Sequence, residues 1–253
     1  MIDAVRLDVD GGLATLRLDG SHGNAINDVL VGGLSGRIRE IGRDPGVRGV
    51  MLASAGRLFS PGLDLRELTT YDRPAMDAFL GRFSRCMLAL YTLPLPVVAA
   101  INGHAIAGGC VLGMLADWRV LARGALIGLN EVKVGVPLPW WVAQVLREAV
   151  AGHRLEEICL LGRNYADDEA LACGLAHELA EPGKAEDLAR ERLAEFAGRD
   201  TRALGVTKIY LRHAAVARIE AEDERRRGDF LESWFSPPTQ ERIRAIVEGL
   251  GRR

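Results

Sequence analysis

Apolar residues recur along the chain first with a period of two and later with a period near four. Val5, Leu7 and Val9 stand at alternate positions, Asp10-Gly11-Gly12 follows, and Leu16 and Leu18 resume the alternation, which predicts a β-hairpin. Ile26, Leu30, Leu34, Ile38 and Ile41 recur at helical spacing behind Asn27, a side chain suited to a helix N-cap. The short apolar runs Gly49 to Ala53, Val97 to Ile101 and Trp118 to Leu121 read as buried strands. Pro74 to about Tyr91 predicts a helix closed by Pro94 and Pro96, and Gly108 to about Ala116 an apolar helix after the turn-like Asn102-Gly103. The result is a strand–strand–helix rhythm without a detectable sequence repeat.

After about residue 140 helices take over. Arg154 to Leu161 and Asp167 to Cys173 predict short helices, each followed by a glycine (Gly162, Gly174) suited to a left-handed cap. Charged helices are expected from about Ala185, Thr201 and Pro237, the last with Ser236 as its cap. No low-complexity linker divides the chain, and the one soft boundary falls near Arg199-Asp200. That gives a core over residues 1–199 and a helical region over residues 200–253.

Composition narrows the classes. With 253 residues, 48% of them hydrophobic, the chain is long enough to bury about 70–75% of its unfolded surface without staples. Lys and Arg total 32 against 34 for Asp and Glu, so no overall charge draws it to nucleic acid or an anionic membrane. Cys86, Cys110, Cys159 and Cys173 are widely spaced in apolar stretches and read as small core residues, with no metal-ligand spacing. No signal-peptide core and no run of membrane-spanning length is apparent, so a reduced, soluble, cytoplasmic protein is expected.

Three glycine-bearing segments carry the candidate chemistry: Arg57 to Leu65, Asn102 to Cys110 and Ile127 to Gly135. In the second, Gly108-Gly109 opens an apolar helix directly after a buried strand. Free backbone N–H groups at such a helix start suit an anion or an oxyanion. The segment lacks GxGxxG spacing and no P-loop Lys-Ser/Thr follows, so a dinucleotide site is not expected.

Taken in order, these segments resemble the crotonase (enoyl-CoA hydratase/isomerase) superfamily. The matching stretches are His22-Gly23-Asn24-Ala25-Ile26-Asn27, Phe59-Ser60-Pro61-Gly62-Leu63-Asp64-Leu65, Ile101 to Cys110, the Asp117 strand, Gly128 to Val136, and Gly152-His153-Arg154. The resemblance implies an α/β fold, a crotonase-type spiral of ββα units followed by helices that pack on the core or on neighbouring subunits. It implies an acyl-CoA substrate, with coenzyme A as part of that substrate and no separate cofactor or metal. A homotrimer or dimer of trimers is expected. It further implies an oxyanion hole from the backbone N–H groups of Leu63 and Gly108. Ser60, Gly62, Asp64, Arg66, Val111 and Trp140 are then candidates for substrate binding, Arg66 near the CoA phosphates. Asp64 and Asp117 match positions that look structural. Trp140, Trp141, Trp234 and Phe235 are candidates to wall an acyl tunnel, and His104 reads as a hydrogen-bonded core residue.

Family hydratases carry two glutamates. Their positions correspond here to Val111 and Glu131. Valine cannot hold or protonate a water, whereas one carboxylate suffices to carry a proton from one carbon to another. Taken alone, Glu131 reads as an exposed loop carboxylate. Ile127 to Glu131 followed by Pro139-Trp140-Trp141 resembles the mitochondrial-type 3,2-trans-enoyl-CoA isomerases, which makes Glu131 the catalytic residue. No acid occupies Val136 to Val142, where dienoyl-CoA isomerases and dehalogenases of the superfamily place an aspartate. The expected activity is therefore conversion of 3-enoyl-CoA to trans-2-enoyl-CoA in fatty-acid breakdown. The alternatives are a hydratase-like enzyme, an acyl-CoA decarboxylase, and a non-catalytic acyl-CoA- or RNA-binding relative.

Overall fold

The computed structural model describes residues 4–150 and 152–251. The chain begins with β1 (Val5–Asp10) and β2 (Leu13–Leu18), an antiparallel hairpin with Gly11 and Gly12 both at positive φ in the turn. A tight turn, α1 (Ser21–Asn24), leads to α2 (Asp28–Ile41), capped by the Asn27 side chain, which accepts from the Leu30 N–H at 3.1 Å. Three ββα passes follow. The first is β3 (Gly49–Ser54), β4 (Leu58–Ser60), α3 (Leu65–Leu68) and α4 (Arg73–Tyr91). The second is β5 (Val97–Ile101), β6 (His104–Ile106) and α5 (Gly108–Met114). The third is β7 (Trp118–Ala122), β8 (Ile127–Gly128), α6 (Glu131–Val134) and α7 (Trp140–Ala149). A 3₁₀ turn (Gly152–Arg154), α8 (Leu155–Leu161), β9 (Asn164–Tyr165), α9 (Asp167–Cys173) and β10 (Glu178–Ala180) complete the core. The helices α10 (Ala185–Ala197), α11 (Thr201–Trp234) and α12 (Pro237–Gly251) end the chain.

Each pass lays one strand in each of two sheets. The larger sheet runs β1-β2-β3-β5-β7-β10, parallel beyond the hairpin, and the smaller runs β4-β6-β8-β9. Successive passes therefore stack side by side as a spiral, the α/β architecture expected. Strands β3 and β5 are buried along their whole length, covered by α10 on one face, which explains why they read as continuous apolar runs. Gly162 (φ 61°) and Gly174 (φ 78°) supply the left-handed caps expected of them.

Several expectations are corrected. The smaller sheet lies within the three glycine-bearing segments and the Asn164–Tyr165 bridge, and β10 adds a strand in a region read as helical. Ser236 directly precedes α12 as expected, its carbonyl accepting from the Gln240 N–H, while its hydroxyl donates to the Ser233 carbonyl at the end of α11. His104 is exposed rather than core, and its Nδ1 accepts from the Leu126 N–H at 2.9 Å. Cys86, Cys110 and Cys173 are buried, Cys159 is half-buried, and none is in a disulfide. Among the described residues no cluster of metal-ligating side chains occurs, and no helix is long and apolar enough to cross a membrane.

The C-terminal helices lie on the chain's own core. Helix α11 packs along α7 and α4, and α12 against α3, α6 and α11. Helix α11 is anchored through Asp117, which accepts from Lys208 Nζ and Arg212 Nη2, both at 2.7 Å, and from the Val97 N–H. Lys208 is 6% exposed, and burial pulls its pKa down to about 8. Removing the carboxylate would strand that ammonium, a change that typically costs about 3–5 kcal/mol. Asp117→Ala is accordingly expected to lower the unfolding free energy from urea titration by an amount in that range. A loss below 1 kcal/mol would show that Asp117 does not anchor the helix.

Candidate active site

The site forms where the first two passes touch. Asn24, buried and left-handed (φ 68°), donates through Nδ2 to the Leu58 and Phe59 carbonyls, and its own carbonyl accepts from Ser60 Oγ at 2.7 Å. These bonds fasten the His22–Asn27 segment to β4. The Ile26 N–H then donates to the Gly62 carbonyl (2.7 Å), and the Asp64 N–H to the Ile26 carbonyl (2.9 Å). In this parallel bridge the flanking residues make both bonds, so the Leu63 N–H points the opposite way, without an acceptor among the described residues.

The second free donor lies alongside. Gly108 opens α5, its N–H likewise without an acceptor among the described residues. A Cβ on Gly62 (φ 95°) would sit 3.1 Å from the Gly108 nitrogen, so the two backbones are in direct contact. A Cβ on Gly109 would fall 2.1 Å from the Ser60 carbonyl oxygen, so only glycine permits this approach. Ala107 precedes the pair at φ 51°, ψ −122°, a conformation that L residues rarely adopt. It is held there by its N–H on the Gly128 carbonyl (2.8 Å) and by its carbonyl on the Val111 N–H (3.0 Å).

A cavity of about 430 Å³ opens beside these donors, lined by Leu63 and Gly108 together with Glu131, Val111, Asp64 and Arg66. Glu131 is the first residue of α6, directly after β8 and the Leu129-Asn130 connection. Its carbonyl accepts from the Gly135 and Val136 N–H groups, which closes the short helix behind it. The carboxylate's Oε2 is buried and has no hydrogen-bond partner. Burial drives its pKa up to about 7, and its own backbone N–H offsets only part of this. Glu131 is thus not the exposed loop carboxylate that its isolated sequence context suggests.

The other cavity carboxylate, Asp64, is occupied. Its Oδ1 accepts from the Arg66 N–H at the start of α3, and its Oδ2 lies 3.0 Å from His22 Nδ1. Val111 is buried on the cavity wall, one turn into α5. Arg66 is exposed at the cavity, with Nη2 donating to the Leu250 carbonyl. Ser60 and Gly62 lie behind the lining: Ser60 bonds Asn24 and the Gly62 N–H, so both shape the Leu63 loop rather than face the cavity.

Trp140 does not line this cavity. Its indole N–H donates to the Arg218 carbonyl, and Arg226 lies over its ring. Of the other aromatics, Trp234 lines the cavity, Trp141 is core against Phe83, and Phe235 lies under Arg73. Phe230, Ile246 and Leu250 also line it and were not foreseen. Their signal was present as four-residue spacings, Phe230 to Trp234 and Ile246 to Leu250, on the last two helices.

Comparison with known proteins shows the family. The enoyl-CoA hydratase/isomerase family profile matches residues 8–248, and the chain belongs to that family, within the crotonase superfamily. A putative enoyl-CoA hydratase of Thermus thermophilus is 32% identical over 235 residues, covering 91% of this chain and 92% of the relative. Human mitochondrial enoyl-CoA delta isomerase 1 is 27% identical over 250 residues, 97% of this chain and 82% of the relative. A crystal structure of human mitochondrial delta3-delta2-enoyl-CoA isomerase superposes with a TM-score of 0.94 over 98% of both chains, at 25% identity.

The raised carboxyl pKa has a stability consequence. The folded state keeps the Glu131 proton up to about pH 7, whereas a carboxyl in the unfolded chain releases it near its ordinary value of 4.5. Stability is therefore lost between those values as pH rises, and the loss is complete above about 7. Glu131→Gln removes this penalty. The variant is expected to melt several degrees above wild type at pH 8, with the gap closing by pH 4.5; an equal gap at both pH values would contradict the assignment.

Proposed function

We propose that the protein isomerises 3-enoyl-CoA thioesters to trans-2-enoyl-CoA, with Glu131 as the only acid–base group. The reading is carried by one observation: a carboxylate with a buried, unpartnered oxygen lines the same cavity as the two free N–H donors, and the position that family hydratases fill with a second glutamate is the buried Val111. In the ionised form Glu131 removes a proton from C2 of the thioester. The electron pair delocalises through the neighbouring double bond and onto the thioester oxygen, which accepts from the Leu63 and Gly108 N–H groups. Glu131, now a neutral acid, returns the proton to C4, and the electrons settle between C2 and C3. A carboxyl pKa near neutrality suits a group that must both take and give the same proton.

Arg66 at the cavity supports binding of the CoA phosphates, and Leu63, Val111 and Trp234 supply apolar contacts for the acyl group. Hydration would require a second group to hold the attacking water, and the cavity's other carboxylate is engaged by His22 and the start of α3. The similarity to the human isomerase supports the same reading.

Incubation with 3-hexenoyl-CoA should yield trans-2-hexenoyl-CoA, at a rate well above hydration of crotonyl-CoA. Glu131→Gln should retain less than about a tenth of the isomerase turnover while binding the saturated thioester normally. In wild type kcat/KM should rise with pH through about 7, as the carboxyl becomes a base. Faster hydration than isomerisation, or an active Glu131→Gln enzyme, would refute the proposal.

The two-donor hole has its own test. A Cβ on Gly108 would lie 2.8 Å from Ile26 Cδ1 and 3.4 Å from Gly62 Cα, so a side chain there presses on the loop that carries Leu63. Gly108→Val should separate the donors and lower turnover by ~10²-fold or more, with the circular dichroism spectrum unchanged. Near-normal turnover in that folded variant would place the thioester elsewhere.

A further inference from the structure

The Glu131 cavity shares a wall with a second, smaller cavity of about 110 Å³. Leu80 of α4, Pro139 before α7 and Phe230 of α11 line both. The two chambers differ in chemistry. On the Glu131 side the wall continues into Phe83, Val142 and Trp234. Behind it lie Ser84, Asp223, Arg226 and Arg227. Ser84 Oγ donates to the buried Asp223 Oδ2 at 2.7 Å, Arg227 Nη1 stands 3.7 Å from the same oxygen, and Arg227 Nε donates to Asp77. Arg226 Nε donates to Glu222. These charges are already matched, so the rear chamber is not built to receive an ionic group, while Pro137, Leu138 and Trp141 in its lining give it apolar surface that a hydrocarbon tail would reach only if the wall were opened.

We propose that Phe230, facing Leu80 and Pro139, is the end wall of the acyl site and sets the longest acyl chain the enzyme accepts. This rests on the acyl-thioester reading given above. Phe230 is 3% exposed and its ring stacks on Trp234 at a centroid distance of 5.9 Å, so it is a fixed partition and not a mobile side chain. Leu80, 4% exposed, lines the same two cavities from α4. A methylene that still finds apolar wall tightens binding by roughly fourfold. One that reaches the Phe230 ring has nowhere to go.

The test is the dependence of affinity on chain length, measured by calorimetry with saturated acyl-CoAs from butanoyl to dodecanoyl, alongside kcat and KM for 3-hexenoyl-CoA and 3-dodecenoyl-CoA. Wild-type affinity should stop rising before dodecanoyl-CoA. Phe230→Ala joins the two chambers and should tighten dodecanoyl-CoA binding by about tenfold or more, leaving butanoyl-CoA within about threefold. The gain should appear as a lower KM for the long substrate, with kcat little changed. Leu80→Ala opens the same wall from α4 and should shift the profile the same way, which covers the case in which Phe230→Ala does not fold. Wild-type affinity still rising at dodecanoyl-CoA, or parallel profiles in wild type and the folded variants, would overturn the proposal. The expected length profile without conversion of 3-hexenoyl-CoA would leave the wall standing and remove the isomerase reading. Absence of any acyl-CoA binding would overturn both.

Discussion

Backbone contact between successive ββα passes sets the geometry of everything around the site. Gly62 of the first pass lies against Gly108 of the second, and Gly109 leaves no room for a Cβ above the Ser60 carbonyl. Two peptide N–H groups from distant parts of the chain thereby border one cavity without acceptors among the described residues. A backbone donor cannot swing on a side-chain torsion, so its direction depends on the packing of whole strands and helices. The Asn24 bonds to β4, the Ile26 bridge to Leu63 and the parallel sheets all stabilise that alignment.

Around these donors the electrostatics is sparse by design of the lining. One carboxylate has a buried oxygen with no partner among the described residues and is tuned toward neutrality by that burial, while the other is held by His22 and backbone N–H groups. The same low-polarity surroundings that raise the Glu131 pKa would also strengthen any hydrogen bond from Leu63 and Gly108 to a developing oxyanion. The closing elements α11 and α12 contribute Phe230, Trp234, Ile246 and Leu250 to that surrounding, so the C-terminal helices belong to the site as much as to the scaffold.

Much of the larger sheet and most helices were legible because each buried a long enough stripe to show its period. The run Val97–Ile101 and the helix behind Asn27 are examples. The smaller sheet was not, since strands such as Ile127–Gly128 and Asn164–Tyr165 have two residues each and no alternation to read. Their partners come from other passes, which local pattern does not encode. At the site, the Gly108-Gly109 pair marked one donor, because close approach demands glycine and leaves a visible trace, whereas Leu63 and Glu131 were legible only through the family resemblance. Trp140 was misplaced because a helix places adjacent tryptophans about a quarter-turn apart, and only the packed structure decides which of them faces inward; here it is Trp141. Phe230 escaped notice because it reaches the site from a helix that starts almost thirty residues earlier.

Ala107 makes a thermodynamic choice visible. Its positive φ costs on the order of 1–3 kcal/mol, which glycine would avoid. Glycine, however, would also give the chain more freedom before folding and a softer joint afterwards. With alanine, bonded on one side to Gly128 and on the other to Val111, the peptide leading into Gly108 has one accessible orientation. The donor is thus already aimed before any ligand arrives. The reorganisation that a flexible joint would charge to every binding event is met once, during folding, and then shared by every turnover that follows.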